Sequence, residues 1–144
     1  GQGHPTVFPA VAPRRLGIAP ATATLLSGDS ARDVPGFGAV ASRSAMMTGG
    51  AIAVAADKTI EKGRQVAAML LQAGEADVDY RDGKFSVRGT GREVSLFEVA
   101  ARATELMRQG VIAESLDSQI TVKPSAAIPA SPMKAVLLPK VSLI

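Results

Sequence analysis

The longest regular pattern of apolar positions lies in the middle of the chain, between Met46 and Leu71. Small and apolar residues recur there at steps of three and four, the spacing of one helix face. They are Met46, Gly49, Ala53, Ala56, Ile60, Gly63, Ala67 and Leu70. Each glycine costs about 1 kcal/mol relative to alanine inside a helix. Close packing against another element would explain the glycines, and so would indifference at exposed positions. The pattern predicts a long helix packed on a small sheet.

A hairpin and a second helix are predicted after this segment. Apolar residues alternate with polar ones from Val78 to Val87, and the Asp82-Gly83 pair between them strongly favours a tight primed turn. Ser95 and Glu98 then form a capping-box pattern, which marks a helix start. The predicted buried face of this second helix consists of Leu96, Val99, Ala103 and Leu106, and Gly110 closes its C-terminus.

The two ends of the chain carry weaker patterns. Apolar residues from Thr6 to Leu16 are spaced as in a helix, and the segment is predicted to be helical although Pro9 and Pro13 oppose a regular helix. Residues Ala21 to Leu26 are predicted as a short strand, and Ser27 to Ala41 as a loop. After Ser115 the prolines break the chain into extended pieces: Pro124, Pro129, Pro132 and Pro139. The expected fold class is α+β, a mixed sheet with a long small-residue helix.

The composition of the chain excludes several classes of site and function. The 144 residues are 47% apolar and 20% charged, which suits one globular domain. The absence of cysteine excludes disulfides, thiolate metal sites and a cysteine nucleophile, and a single histidine leaves no ligand set for zinc or iron. The net charge of +3 is scattered, with no basic stripe or stacking aromatics, so we expect no nucleic-acid binding. The longest uncharged run, between Arg43 and Asp57, is too short to span a bilayer.

One candidate binding segment is Gly1-Gln2-Gly3-His4 at the start of the chain. Glycines on both sides of Gln2 allow backbone to approach a ligand closely, and the Gln2 amide offers both a donor and an acceptor. A plain turn would account for the same residues, and His4 fits equally well as a satisfied histidine at the start of an element.

A second candidate segment is Ala41-Ser42-Arg43-Ser44, directly before the long helix. Ser42 or Ser44 is a natural N-cap, and free N–H groups at a helix start favour an anion. Arg43 adds a positive charge and a fork of donors suited to phosphate. The alternative is that Ser44 only caps the helix and Arg43 only points to water.

The order of these segments resembles the molybdopterin-binding subunits of molybdenum hydroxylases. This family includes xanthine dehydrogenase, aldehyde oxidase and the carbon monoxide dehydrogenase large subunit. The segments that carry the resemblance are Gly1 to His4, Leu16 to Ile18, Gly28-Asp29, Ala41 to Ser44 with the small-residue helix, Asp82 to Phe85, and Val94 to Leu96. The likeness covers residues 1–113, a partial molybdopterin-binding domain, and leaves 114–144 as a divergent proline-rich tail.

The resemblance implies a molybdopterin cofactor whose pterin dithiolene holds the molybdenum, with the cytosine dinucleotide as one candidate form. Gly1, Gln2 and Gly3 would lie close to this cofactor, and Ala41, Ser42, Arg43 and Ser44 would help bind it. The family hydroxylates aldehydes, purines or similar substrates with water as the oxygen source. Expected partners are the remaining segments of the molybdenum subunit and iron–sulfur and FAD subunits or domains. A homo-oligomer and a cytoplasmic location are further expectations.

This sequence also departs from the family's pattern. Pro9 and Pro13 occur where the family continues a helix, and the Gly-Glu-Pro motif with the family's catalytic glutamate is absent. Glu98 and Glu114 lack that context, so no catalytic or metal-binding residue is predicted. We therefore expect a fragment that is inactive and lacks the cofactor in isolation. Alternatives are a non-catalytic phosphate- or nucleotide-binding module and a structural module.

Overall fold

The computed structural model describes residues 3–25, 44–116, 118–122 and 133–137. Its helices are α1 (His4–Leu16), α2 (Gly49–Leu71) and α3 (Leu96–Arg108). Its strands are β1 (Val78–Arg81), β2 (Lys84–Val87), β3 (Glu93–Ser95), β4 (Ser118–Val122) and β5 (Met133–Leu137).

The predicted α+β class is confirmed. The strands form a three-stranded sheet in the order β1-β2-β3 and a pair β4-β5. All these pairings are antiparallel, whereas a mixed sheet was expected.

The chain divides into two compact units, although its length suits one domain. The first unit is Gly1–Ala56 with Ser118–Leu137, and the second is Asp57–Asp117 with Leu138–Ile144. The boundary falls inside α2, so residues of this helix contribute to both units. Sequence periodicity follows the helix and carries no signal of this division, which depends on contacts between distant segments.

In the first unit, α1 contacts both a short 3-10 turn, Pro20–Thr22, and a π-helical turn, Ser44–Thr48, that leads directly into α2. Strand β5 contacts the same π-helical turn. The α1 side chains that are buried are Phe8, Ala12, Pro13 and Leu16. The predicted helix from Thr6 to Leu16 is confirmed as α1, which continues through Pro9 and Pro13 although these prolines were expected to oppose a regular helix. With Pro5 these prolines are spaced by four residues, so the missing backbone donors fall along one side of the helix.

The predicted strand from Ala21 to Leu26 is wrong. Pro20 begins a 3-10 turn, and the Thr22 hydroxyl donates a hydrogen bond of 2.6 Å to the Ala19 carbonyl. Proline fixes φ at a value suited to this turn and has no N–H for a sheet. Residues 23–25 follow without strand pairing. Leu26, the predicted loop 27–41 and the prolines of the tail lie outside the described residues.

In the second unit the predicted hairpin is confirmed. Strands β1 and β2 pair from Val78 opposite Val87 to Arg81 opposite Lys84. Asp82 and Gly83 in the turn have φ values of 48° and 77°. Positive φ at both central positions is the signature of a type I′ turn, and glycine adopts it without strain. The Gly83 carbonyl accepts a hydrogen bond of 2.8 Å from the Leu96 amide, which connects the turn to α3.

Helix α3 follows the sequence prediction closely. Ser95 and Glu98 form the predicted capping box, and Leu96, Val99 and Ala103 are buried as expected, with Leu106 half-buried. The helix ends at Arg108, and Gly110 closes its C-terminus as predicted, with φ 72° and with the Val111 amide donating to the Leu106 carbonyl at 2.9 Å. The sequence was sufficient to predict α3 because its N-cap, its apolar periodicity and its terminating glycine all lie within one short segment.

The predicted buried face of α2 is partly wrong in phase. Ala56, Gly63 and Ala67 are buried, but Met46 is 77% exposed and lies in the π-helical turn, and Leu70 is exposed. The buried residues of α2 that the stripe did not include are Ala51, Ala55, Thr59, Val66 and Ala68. A π-helical turn contains more residues than an α-helical turn. It therefore shifts the side chains before Gly49 relative to a continuous α-helical pattern.

Candidate functional site

Gly3 is the described residue of the first predicted binding segment, and its backbone is left-handed, with φ 70° and ψ 11°. Its carbonyl oxygen accepts hydrogen bonds from the amides of Thr6 at 3.0 Å and Val7 at 2.9 Å. A Cβ at this position would meet only the Val7 Cγ2 atom, at 3.9 Å. The backbone conformation, and not crowding, is therefore what requires glycine here. Gly1 and Gln2 lie outside the described residues.

His4 begins α1 immediately after Gly3. Its imidazole stacks on the ring of Phe8, with ring centroids 4.8 Å apart and an interplanar angle of 26°. Phe8 is buried and His4 is half-buried. The sequence analysis placed His4 in the candidate segment Gly1-Gln2-Gly3-His4 but did not assign it to the cofactor site. The spacing of four residues between two rings in a predicted helix is the signal that could have found this pair.

Ser44 is the described residue of the second predicted segment. It is half-buried and is the first residue of the π-helical turn Ser44–Thr48. Single π-helical turns are rare and frequently lie at functional sites. Beyond this turn, a Cβ added to Gly49 or Gly50 would meet nothing within 4 Å, so the start of α2 has open space beside it. Ala41, Ser42 and Arg43 lie outside the described residues.

The two predicted segments therefore adjoin elements that contact each other. Gly3 precedes α1, Ser44 opens the π-helical turn, and α1 contacts that turn within the first unit. Backbone amides, serine hydroxyls and the Arg43 guanidinium are the donors of these segments. Such donors suit phosphate and other anionic oxygens. They are not the nitrogen, sulfur and carboxylate ligands that hold transition metals directly.

Several carboxylates of the second unit are engaged in ion pairs or helix capping. A hydrogen bond of 2.7 Å from Lys62 lowers the pKa of Glu114. Hydrogen bonds from the side chain and then the backbone of Ser95 lower the pKa of Glu98. A general base works best with a pKa near the operating pH. The lowered pKa values make both glutamates weak bases at neutral pH; that neither is catalytic stays a prediction.

Asp79 is paired in a similar way. The Arg88 guanidinium donates two hydrogen bonds to its carboxylate, at 3.1 and 3.0 Å, and lowers its pKa. In the same unit, burial and then the charge of Asp82 raise the pKa of Tyr80 to about 12. This phenol therefore stays protonated at neutral pH.

The described ranges contain no group of three or more histidine, cysteine, aspartate or glutamate residues that could hold a metal ion. No helix within them combines the length and the apolar character that crossing a membrane requires.

Comparison with known proteins places these features in a family context. Residues 1–130 match the family described as molybdopterin cofactor-binding domain. The gamma subunit of the 6-hydroxypseudooxynicotine dehydrogenase complex of Paenarthrobacter nicotinovorans is 37% identical over 101 residues, covering 70% of this chain and 13% of that subunit. The carbon monoxide dehydrogenase large chain of Hydrogenophaga pseudoflava is 37% identical over 89 residues, covering 62% of this chain and 11% of that protein.

Solved structures of two related enzymes also match this chain. A crystal structure of Cu,Mo-CO dehydrogenase in its carbon monoxide-reduced state matches with a TM-score of 0.66 and 31% identity, over 72% of this chain and 13% of that chain. Quinoline 2-oxidoreductase from Pseudomonas putida 86 matches with a TM-score of 0.63 and 27% identity, over 94% of this chain and 16% of that chain. The chain thus spans a small part of the length of each of these relatives.

Proposed function

Because the chain belongs to the molybdopterin cofactor-binding domain family of molybdenum hydroxylases, we propose that it forms part of the wall of a molybdenum cofactor site. The observation that carries this proposal is the contact between α1 and the π-helical turn in the first unit. It supports the idea that the segment ending at Gly3 and the segment ending at Ser44 act on one ligand. In the sequence these segments are far apart.

The residues proposed to bind the cofactor are Gly1, Gln2, Gly3, Ala41, Ser42, Arg43 and Ser44. Gly3 is left-handed at the start of α1. The side-chain amide of Gln2 offers both a donor and an acceptor for the cofactor edge. Arg43 and the hydroxyls of Ser42 and Ser44 would bind its phosphate. At the start of α2, a Cβ on Gly49 or Gly50 would meet no described atom within 4 Å, so the described residues leave this side of the helix uncovered. A cofactor that carries its own metal ligands also fits this donor set.

When bound, the cofactor supplies the redox chemistry that hydroxylates an activated carbon with oxygen from water. The protein's own contribution in this chain is to hold and orient the cofactor through backbone amides, hydroxyls and the Arg43 guanidinium. Matched relatives are named as a carbon monoxide dehydrogenase large chain and a nicotine 6-hydroxylase large subunit. We extend the proposal to aldehydes, purines or similar substrates, and to the cytosine dinucleotide as one form of the cofactor.

The proposed partners follow from the same family. They are the remaining segments of the molybdenum subunit and the iron–sulfur and FAD subunits or domains, which would carry electrons away. A homo-oligomer and a cytoplasmic location belong to the proposal as well. The boundary between a cofactor-binding part, 1–113, and a tail, 114–144, stays a prediction.

Substitutions in the second segment test the proposal. The chain would be produced with the other subunits of its enzyme, and molybdenum and pterin would be measured per complex in Arg43→Ala and Ser44→Ala variants. Both should retain less cofactor, because each loses a donor to an anionic group. Arg102→Ala is the matched control, since Arg102 is an exposed arginine of α3 in the other unit. Full cofactor retention in both test variants would leave this segment as a plain helix start.

A further inference from the structure

The chain's only histidine is oriented by a buried neighbour. His4 and Phe8 stand four residues apart in α1, and their rings stack at a centroid distance of 4.8 Å. Phe8 is only 7% exposed, so its ring is fixed by the packing of the first unit. A half-buried imidazole stacked on a fixed ring has few alternative rotamers. His4 is therefore held in one orientation at the start of the helix.

The stack leaves the edge of the imidazole available. Stacking occupies a ring face, whereas the nitrogens that donate and accept hydrogen bonds lie at the ring edge. Neither nitrogen of His4 is hydrogen-bonded to any residue in the part of the chain that the structure describes. A side chain that is oriented but unsatisfied in this way is suited to bind a ligand group.

The charges on α1 favour an anionic ligand. The helix contains no acidic residue, and its basic residues other than His4 are Arg14 and Arg15 in the last turn. No carboxylate of α1 therefore competes for the imidazole or repels an anion at this end. His4 also directly follows Gly3, a residue of the proposed cofactor site, and α1 contacts the turn that begins at Ser44.

From these observations we infer that His4 is a further cofactor-binding residue, whose imidazole donates a hydrogen bond to a phosphate oxygen of the molybdopterin. This inference rests on the proposed function and adds a contact to the same site. The stack on Phe8 holds the imidazole ready for that bond, so little rotamer freedom is lost on binding.

Inorganic pyrophosphate is the probe that tests the contact in the full chain. It is titrated at constant pH and ionic strength while the ring resonances of His4 and the amide of Ser44 are followed by NMR. As the chain has one histidine, its ring signals are identified without further assignment. We expect both sets of signals to move with one dissociation constant. His4→Phe keeps an aromatic stack and removes the donor, so it should weaken binding by about tenfold, in the range of a charge-assisted hydrogen bond.

Several outcomes separate the possibilities. Movement of the Ser44 amide without movement of the His4 ring, or equal binding by His4→Phe, would overturn the inference and leave the proposed function standing. A second measurement distinguishes cofactor from free phosphate: the assembled enzyme with His4→Phe should retain less pterin than the enzyme with Val7→Ala, a change at an exposed α1 residue. Normal pterin retention beside weakened pyrophosphate binding would show a site for free phosphate only, and would overturn the cofactor contact.

Discussion

At the scale of single residues, Gly63 shows how closely α2 is packed in the second unit. A Cβ at this position would lie 2.5 Å from the Phe85 Cζ atom, 3.1 Å from its Cε2 atom and 3.5 Å from the Leu116 Cδ2 atom. Phe85 is fully buried, and its ring contacts that of Tyr80 at a centroid distance of 4.6 Å. The Phe85 ring therefore has little room to move away from a larger residue.

Gly63→Ala should lower the free energy of unfolding. Overpacking of a buried contact costs about 1–3 kcal/mol, which exceeds the gain of about 1 kcal/mol from replacing a helical glycine by alanine. Gly50→Ala is the matched control, because a Cβ there meets nothing within 4 Å and should stabilise by up to about 1 kcal/mol. Urea unfolding midpoints measure both effects. A Gly63→Ala variant as stable as Gly50→Ala would show that the Phe85 contact is loose.

Sequence alone could not separate these glycines. Gly49, Gly50 and Gly63 all lie near the predicted stripe, and only the position of Phe85, distant in sequence, distinguishes the last of them. The same limit applies to the candidate site. Its motifs could be recognised from residue order, but the contact between α1 and the π-helical turn depends on tertiary packing.

At the scale of elements, prediction succeeded where the signal was local. The Asp82-Gly83 turn and the Ser95 cap each specify a boundary through their own backbone chemistry, and the structure has both. Prediction was less complete where packing overrides local preference. Helix α1 is present as predicted but continues through Pro9 and Pro13, with Pro13 buried, and the π-helical turn takes Met46 out of the predicted α2 stripe.

The capping box of α3 provides a pH-dependent test. The Ser95 hydroxyl accepts a hydrogen bond of 3.2 Å from the Glu98 amide, and the Ser95 amide donates one of 2.9 Å to the Glu98 carboxylate. Ser95→Ala should reduce stability at pH 7 by about 0.5–2 kcal/mol. Ser95→Thr is the control, because it keeps a hydroxyl that can cap the helix. Thermal or urea unfolding measures the differences.

The sign of the pH dependence follows from the lowered pKa of Glu98, whose main cause is the hydrogen bond from the Ser95 side chain. A group with a lowered folded-state pKa contributes stability above its unfolded pKa and loses it as the pH falls through the folded value. The stability difference between the parent chain and Ser95→Ala should therefore shrink in acid. An equal difference at pH 7 and at a pH below both values would show that the ionised carboxylate contributes nothing to the cap.

At the scale of the whole molecule, the residues of the proposed cofactor site and the paired carboxylates lie in different units. The first contains the described residues of the proposed cofactor site, Gly3 and Ser44. The second contains the hairpin, α3 and the carboxylates that are engaged in ion pairs or capping. Family membership could be predicted because the short motifs follow one another along this chain in the same order as in the family. The division into units could not, since it arises from contacts between segments that are distant in sequence.

The final prediction is that the chain purified alone has no hydroxylase activity and little bound molybdenum. Hydroxylation requires a held cofactor, a general base and an exit for electrons, and the proposal assigns to this chain only a part of the first. A positioned base typically contributes about 10²–10⁴-fold to a rate. Glu98 and Glu114 have lowered pKa values and are bound to Ser95 and Lys62, so both are weak bases at neutral pH.

Molybdenum per chain and dye reduction by an aldehyde or purine test this expectation together, with the complex assembled from all subunits as the positive control. The complex should contain molybdenum and reduce the dye, because under the proposal the other segments and subunits would complete the cofactor site and carry the electrons. The chain spans 13% of the gamma subunit it matches, which leaves most of such a site to other segments. Stoichiometric molybdenum with turnover in the isolated chain would contradict the proposal. It would require a base among these residues that is free of the ion pairs described above.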